Sequence, residues 1–294
     1  MTSFVLSLQS IHKHLRPYLE LARYDKPIGI WLLYWPTCWG LTLAHGGMPP
    51  IQDLTIFLIG AVLMRGAGCT LNDMCDSRFD RHVERTQNRP LARQVLSFPQ
   101  AFVFFGIQLS FAAFILLQFN LPTIMLGVLA LMLTLIYPWM KRVTYWPQIF
   151  LGVTMNWGLI LAFVSTGEKL RPSLWILYGA AILWTLAYDT IYAYQDVKDD
   201  ALIGVRSSPL VLKEKAKPFL AICYGWVVVL LVLAGRLEHV QWSYYFVLFL
   251  IGSHFIWQIQ SFKADDPTSC RRIFCSNQWV GGLIWVAFLA GFWI

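Results

Sequence analysis

The sequence is poor in charge. Only 13% of its 294 residues are Asp, Glu, Lys or Arg, about half the ~25% of an ordinary soluble domain. A soluble globular chain of normal composition is thereby excluded. Paired thiols are missing as well. Cys38, Cys69, Cys75, Cys223, Cys270 and Cys275 are scattered without a CxxC pair, so they read as small buried hydrophobes rather than a zinc or disulfide framework. The first 27 residues hold His12, Lys13, His14, Arg16, Arg23 and Lys26 but no apolar core followed by a cleavage site. No signal or transit peptide is expected there. Alternating strand patterns are also absent, and closed backbone hydrogen bonding is obligatory in lipid, so membrane crossings would be helical.

What the chain has instead is apolar length. Hydrophobic residues make up 57% of it and the mean hydropathy is +0.55. Long apolar stretches recur from end to end, each near the ~20 residues that span a bilayer. The expected fold is all-α, a polytopic membrane protein. Nine spans are predicted, over 28–46, 54–71, 101–119, 121–139, 148–166, 172–192, 218–235, 241–259 and 278–294. Turn residues separate them: Gly46-Gly47 with Pro49-Pro50, Asn120-Leu121-Pro122, and Lys217-Pro218. Residues 1–27 form an amino-terminal arm and 28–294 a single transmembrane domain. Trp35, Trp146, Trp242, Tyr244 and Tyr245 are expected in the headgroup belts.

Charge asymmetry orients the bundle. With nine crossings, 19 of the 23 basic residues fall on the amino-terminal side, only Lys169, Arg171 and Arg236 on the other, and Arg65 lies inside the second span. The positive-inside rule then places the N-terminus in the cytoplasm and the C-terminus outside. The net charge of +7 calls for an anionic membrane surface and no nucleic acid.

Two spans end in carboxylates on that side. After the second comes Asn72-Asp73-Met74-Cys75-Asp76-Ser77-Arg78-Phe79-Asp80; after the sixth comes Gln195-Asp196-Val197-Lys198-Asp199-Asp200, preceded by Asp189 and Tyr192. An amide followed by Asp-x-x-Asp thus occurs twice, a weak internal repeat of the kind that sets a site between related halves. If both helices continue, Asp73, Asp76 and Asp80 share a ~60° arc, and Asp189, Tyr192, Asp196, Asp199 and Asp200 a ~100° arc, at about 100° per residue. Two facing carboxylate surfaces would repel unless cations intervened. Oxygen ligands without His or Cys favour Mg²⁺, which keeps waters and shares its shell with substrate phosphates. The bland alternative is a pair of solvated helix ends, each Asp offset by Arg78, Arg81 or Arg85. Two matched clusters, with Asp189 a further two turns into the membrane, weigh against it, because intramembrane carboxylates are costly and usually functional.

These residues make the chain resemble the UbiA superfamily of intramembrane prenyltransferases. Its first motif, NDxxDxxxD, is matched by Asn72, Asp73, Asp76 and Asp80; its second, DxxYAxxDxxxD, by Asp189, Tyr192, Ala193, Asp196 and Asp200. The stretches "RYDKPIGIWLLYWPTCWGL" (23–41), "RTQNRPLA" (85–92), "YPWMKRVTYWPQIFLGVTMNWG" (137–158) and "YDTIYAYQDVKDD" (188–200) are similar to the 4-hydroxybenzoate polyprenyltransferase branch. The chain departs from the pattern at Arg93-Gln94, where a glycine-containing turn is usual, and at Ala201-Leu202-Ile203, where a lysine is common. A phosphate contact at the second point is not expected.

The resemblance implies a nine-helix bundle around a central cavity open to the cytoplasm and sideways to lipid. It implies C-prenylation of 4-hydroxybenzoate, ortho to the hydroxyl, by a polyprenyl diphosphate, with release of diphosphate, in ubiquinone biosynthesis. The bacterial inner membrane is the expected location, in preference to the mitochondrial one. Asp73, Asp76, Asp80, Asp196 and Asp200 would hold Mg²⁺. Asn72, Arg85, Arg89, Lys141 and Arg142, with Lys198 less firmly, would bind the diphosphate. Competing structural roles exist: Lys141 and Arg142 as headgroup anchors, Arg85 and Arg89 as partners of Glu84 and Asp80, and Tyr192 as packing.

Arg65 and Asp189 lie ~10–12 Å deeper than their motifs at 1.5 Å rise per residue. Arg65 also falls within about 20° of Asp76 on the helical wheel. Arg65 is therefore expected to bind the acceptor's carboxylate, with Asp189 orienting the phenol or accepting the ring proton. A structural Arg65–Asp189 ion pair is the rival. Two other readings stay open. A naphthoate, homogentisate or tetrapyrrole acceptor would keep the chemistry; a divalent-cation transporter would explain the aspartates but not the basic residues beside them.

Overall fold

The structure, a computed structural model, describes residues 14–293. The expectations for His12, Lys13 and the rest of residues 1–13, and the last residue of the ninth span, lie outside the described residues. Among these, nine long helical segments succeed one another and no strand forms: α1 Ile28–His45, α2 Ile51–Asp80, α3 Phe98–Leu116, α4 Leu121–Val143, α5 Pro147–Ser165, α6 Pro172–Leu202, α7 Ser208–Leu237, α8 Trp242–Ser261 and α9 Pro267–Phe292. A short helix over 14–21 precedes them.

Local chemistry explains the starts and stops. Proline occupies the first turn of α3 to α6 and of α9, where a missing N–H costs nothing. Ser97 and Gln100 close a capping box on α3, the Asn120 side chain accepts from the Thr123 backbone N–H at 3.0 Å, and Asp266 accepts from Thr268 and Ser269. These bonds satisfy donors that lipid could not. Gly46, at φ 63°, ends α1 in the left-handed conformation that glycine adopts freely.

Seven segments, α2 to α7 and α9, are long and apolar enough to cross a membrane. The remaining two, α1 and α8, contain no Asp, Glu, Lys or Arg but are enriched in Trp and Tyr, with Pro36 in α1 and Gln258 and Gln260 in α8.

Burial separates a core from a rim. In α6, 61% of the apolar window is buried inside the protein, against 17% in α3 and 11% in α4. Helix α6 is the axle, packed against α1, α5, α7 and α9, with Trp184, Leu177 and Ala181 fully enclosed. Phe102, Phe111 and Phe114 of α3 and Met125 and Met132 of α4 stay exposed, as lipid-facing side chains do. Trp184 donates to Asn277 at 2.9 Å, and Tyr224 to Gln258 at 2.5 Å, joining α6 to α9 and α7 to α8. Gly40 lets α1 lie directly on α5: a Cβ there would collide with the Leu159 carbonyl.

Several details depart from the sequence reading. The fifth segment breaks at Asn156, whose amide donates to the Gly152 and Ala181 carbonyls and to Thr185. That side chain competes with the helix's own bonds. Helix α6 tightens to 3₁₀ over Tyr194–Asp196 before resuming at Val197, so uniform 100° steps do not carry through its acidic end. Nor is Tyr244 in a headgroup belt. It is fully buried and donates to the Leu231 carbonyl at 2.8 Å, while Trp35 packs among Trp31, Tyr34 and Trp285.

At the end of the bundle away from the acidic motifs, one ion pair ties three helices. Arg171, before α6, donates to Glu238 at 2.7 Å and to the Leu43 carbonyl at the end of α1 at 3.0 Å; Ser173 also bonds Glu238. Glu238 is 8% exposed and Arg171 33%, so only part of the penalty of a buried, unpaired charge applies. Glu238→Ala is expected to cost about 1–2 kcal/mol. A thermal melt in detergent should fall by several degrees with catalytic constants unchanged in the surviving fraction.

Candidate active site

A cavity of about 1040 Å³ runs into the bundle among α1 to α6, with α9 at its edge. Its deep part is apolar, with Phe57, Leu109, Leu116, Leu131 and Leu161 on its walls; its mouth is charged. The mouth is built by two helix ends. The 30-residue α2 extends beyond its apolar stretch without interruption, so Asp73, Asp76 and Asp80 stay on its inner face, 1%, 1% and 6% exposed. Across from it, the 3₁₀ turn and last helical piece of α6 bring Asp196 and Asp200 to the same cavity.

Each carboxylate of the first motif is held by a basic side chain. Asp73 accepts two bonds from one Arg23 nitrogen, at 2.8 and 2.9 Å, and a third from Arg89 at 3.0 Å. Arg89 also donates to Asp80 at 2.8 Å. Lys141, near the end of α4, pairs with Asp76. The other Asp76 oxygen is buried without a hydrogen-bond partner; Arg142 approaches no nearer than 3.9 Å.

Arg85 joins the two halves. From the loop after α2 it donates to both Asp196 oxygens, at 2.7 and 2.5 Å, and to the Tyr192 hydroxyl at 2.8 Å. Among the described residues no ion pair joins it to Glu84, the structural partner the sequence offered; the Glu84 backbone N–H donates to Asp199 at 3.3 Å. Burial by itself would lower the Arg85 pKa, but Tyr192 and Asp196 outweigh it and raise it, so the guanidinium remains charged.

Deeper in, Arg65, Tyr137, Tyr188 and Asp189 line the cavity. Among the described residues no ion pair joins Arg65 to Asp189. The Arg65 Nε is buried with no partner, an arrangement too costly to be neutral for structure alone. Gly29 makes room for this side chain, since a Cβ there would overlap the guanidinium.

Of the residues singled out from sequence, Asn72, Asp73, Asp76, Asp80, Arg85, Arg89, Lys141, Arg65, Asp189, Tyr192, Asp196 and Asp200 all line this one cavity. Three do not. Asp199 accepts from the Glu84 backbone N–H outside the lining, and Lys198 is exposed outside it, because the 3₁₀ turn changes the face presented after Asp196. Arg142 lies over the Trp139 and Phe79 rings and donates to the Cys75 carbonyl at 3.2 Å. Sequence reasoning missed Arg23 and Gly29. A basic residue before a first span reads as a headgroup anchor, and a single helical glycine carries no signal of what lies opposite it.

The donor set suits a hard cation in one particular way. Among the described residues no three acidic, imidazole or thiol groups converge to cage a metal ion by themselves. The available oxygens are all aspartate, in two facing groups, and one Asp76 oxygen is spare. That fits Mg²⁺ completed by phosphate oxygens and water rather than a closed protein cage.

The chain as a whole also resembles known proteins. Residues 33–293 match the UbiA prenyltransferase family. The mitochondrial 4-hydroxybenzoate polyprenyltransferase of Rattus norvegicus is 44% identical over 287 residues, 97% of this chain and 77% of the rat protein. The 4-hydroxybenzoate octaprenyltransferase of Pseudomonas aeruginosa (strain LESB58) is 37% identical over 290 residues, 99% of this chain and 98% of that one. Among solved structures, a UbiA homolog from Aeropyrum pernix K1 superposes with a TM-score of 0.75 at 21% identity, covering 86% of this chain and 95% of that one. One from Archaeoglobus fulgidus, bound to GPP and Mg²⁺, gives 0.74 at 16% identity, covering 94% and 99%. The two structures share the fold, and the sequence match identifies the family: this chain belongs to the UbiA prenyltransferase family.

Proposed function

We propose that the protein transfers a polyprenyl chain from polyprenyl diphosphate to the ring of 4-hydroxybenzoate, ortho to the hydroxyl, for ubiquinone synthesis. One observation carries this reading: two aspartate groups and their basic partners meet at the mouth of a single cavity whose interior is apolar. A cation transporter has no use for that apolar interior, and its path would be opposed by Arg85, Arg89 and Lys141.

Asp73, Asp76, Asp80, Asp196 and Asp200 would hold Mg²⁺, which would supply charge neutralisation for the departing diphosphate. Arg85, Arg89 and Lys141 exchange their carboxylate partners for phosphate oxygens and stabilise the same charge as the allylic C–O bond ionises. Asn72 contributes an amide to that mouth. The apolar walls exclude water from the allylic cation. Arg65 binds the acceptor's carboxylate, with Tyr192 beside the ring. The ring carbon ortho to the hydroxyl forms the new C–C bond, and Asp189 takes the ring proton, restoring aromaticity.

The tail of the donor lies sideways in lipid between the loosely packed α3 and α4. With nine crossings, the basic-residue asymmetry puts the acidic mouth and the N-terminus on the cytoplasmic face, and the membrane is read as the bacterial inner membrane. The reaction is checked by incubating membranes with labelled 4-hydroxybenzoate and a series of polyprenyl diphosphates. Lipid-extractable label should require both a donor and Mg²⁺. Its absence with every donor sinks the assignment.

A further inference from the structure

Arg23 is a basic residue of the mouth that lies outside both aspartate motifs and bonds one of their carboxylates. It sits before α1, yet one of its terminal nitrogens donates to both Asp73 oxygens, at 2.8 and 2.9 Å. Its backbone is left-handed, φ 59°, a conformation that a non-glycine residue holds only where its surroundings impose it. The surroundings here are specific. Its other terminal nitrogen donates to the Glu20 carbonyl at 2.7 Å, closing the end of the short helix over 14–21. Leu21 is buried against Leu91, Leu96 and Ala101. Arg93 pairs with Glu20 at 3.0 Å, and Gln108 donates to the Tyr24 hydroxyl at 3.2 Å. Residues 14–27 are thus docked on the loop after α2 and on α3, with Arg23 lining the mouth.

With Arg23 and Arg89 in place, Asp73 accepts three charge-assisted bonds. A carboxylate so occupied is a poor ligand for a cation until a guanidinium leaves. Arg23 lines the cavity and presents a planar fork matched to phosphate as well as to carboxylate.

Resting on the proposed reaction, we propose that Arg23 is a counter-ion latch: it occupies Asp73 in the empty site and passes to a diphosphate oxygen when the metal-bound donor arrives. Metal alone then binds weakly, and the metal and diphosphate enter together. The arm makes donor binding dependent on its own docking, and Arg23 belongs to the donor site rather than to the headgroup region.

The test compares wild type with Arg23→Gln and Arg23→Lys in detergent. Free Mn²⁺ is followed by electron paramagnetic resonance without any prenyl diphosphate, and steady-state constants are then measured with Mg²⁺ and both substrates. In Arg23→Gln the latch is gone, so Mn²⁺ alone should bind at least about threefold more tightly. KM for the prenyl diphosphate should rise about tenfold, and KM for 4-hydroxybenzoate should not move. Arg23→Lys, which keeps the charge but loses the second nitrogen that bonds the Glu20 carbonyl, should fall between wild type and Arg23→Gln on both measures, and it carries the test if Arg23→Gln does not fold. An anchor or purely structural arginine predicts the opposite pattern: unchanged Mn²⁺ affinity, or equal losses for both substrates. Either result, or a lysine variant equal to wild type on both measures, overturns the latch. Inactive wild-type protein that still binds Mn²⁺ more tightly as Arg23→Gln refutes the reaction and leaves the Arg23–Asp73 competition standing.

Discussion

Asp76→Asn is expected to lower kcat/KM for prenyl transfer by about 10³-fold or more, about 4 kcal/mol of transition-state stabilisation. Asp76 is 1% exposed, carries the one spare buried carboxylate oxygen at the mouth and holds the Lys141 ammonium. Asn keeps the shape and removes the charge. Two losses then coincide. The cation loses a hard, anionic oxygen, and Lys141 loses the partner that fixes it beside the leaving group. The required Mg²⁺ concentration should rise along with the fall in rate. Replacing one buried carboxylate by an amide relieves like-charge crowding near Asp73 and Asp80, so the melting temperature should not drop. A mutant with wild-type turnover and an unchanged Mg²⁺ requirement would remove Asp76 from the metal site.

The second large effect lies deeper. Arg65→Ala is expected to raise KM for 4-hydroxybenzoate about 30- to 100-fold, roughly 2–3 kcal/mol, the range of a hydrogen-bonded charge pair in a sheltered site. KM for the prenyl diphosphate should stay within about twofold, because a residue that binds one substrate alone removes binding of that one only. Two features support the asymmetry: a guanidinium nitrogen buried without a partner and no ion pair to Asp189 among the described residues. Gly29→Val should reproduce the defect from the neighbouring helix, since its side chain would occupy the space of the Arg65 guanidinium. Equal losses for both substrates, or a collapsed melting curve in Arg65→Ala with normal KM values in the folded remainder, would assign Arg65 to structure instead.

Much of the fold and the site is legible in the sequence. The low charge and repeated apolar stretches imply helices in lipid because unpaired backbone groups are intolerable there. Asp73, Asp76 and Asp80 recur at helical spacing on one long segment, and that local periodicity survives folding because α2 runs unbroken through Asp80. The second motif is less legible. Its residues reach the same cavity, but the 3₁₀ turn at Tyr194–Asp196 rotates the last helical piece of α6, and Lys198 ends outside. Arg142 likewise looks equivalent to Lys141, one position away. On a helix, adjacent residues point about 100° apart, and only the packing of α4 decides which one faces Asp76.

By itself the sequence determined the class of protein, the two acidic helix ends and the depth of Arg65 and Asp189 below them. These are consequences of composition and helical repeat, which act over a few neighbouring residues. Only the tertiary structure decided the pairings: Arg85 on Asp196 across 111 positions, Arg23 on Asp73 across 50, and Gly29 against Arg65. Opposite charges attract whatever their separation along the chain, so a sequence that offers many Asp–Arg combinations leaves the choice among them to the packing of the helices.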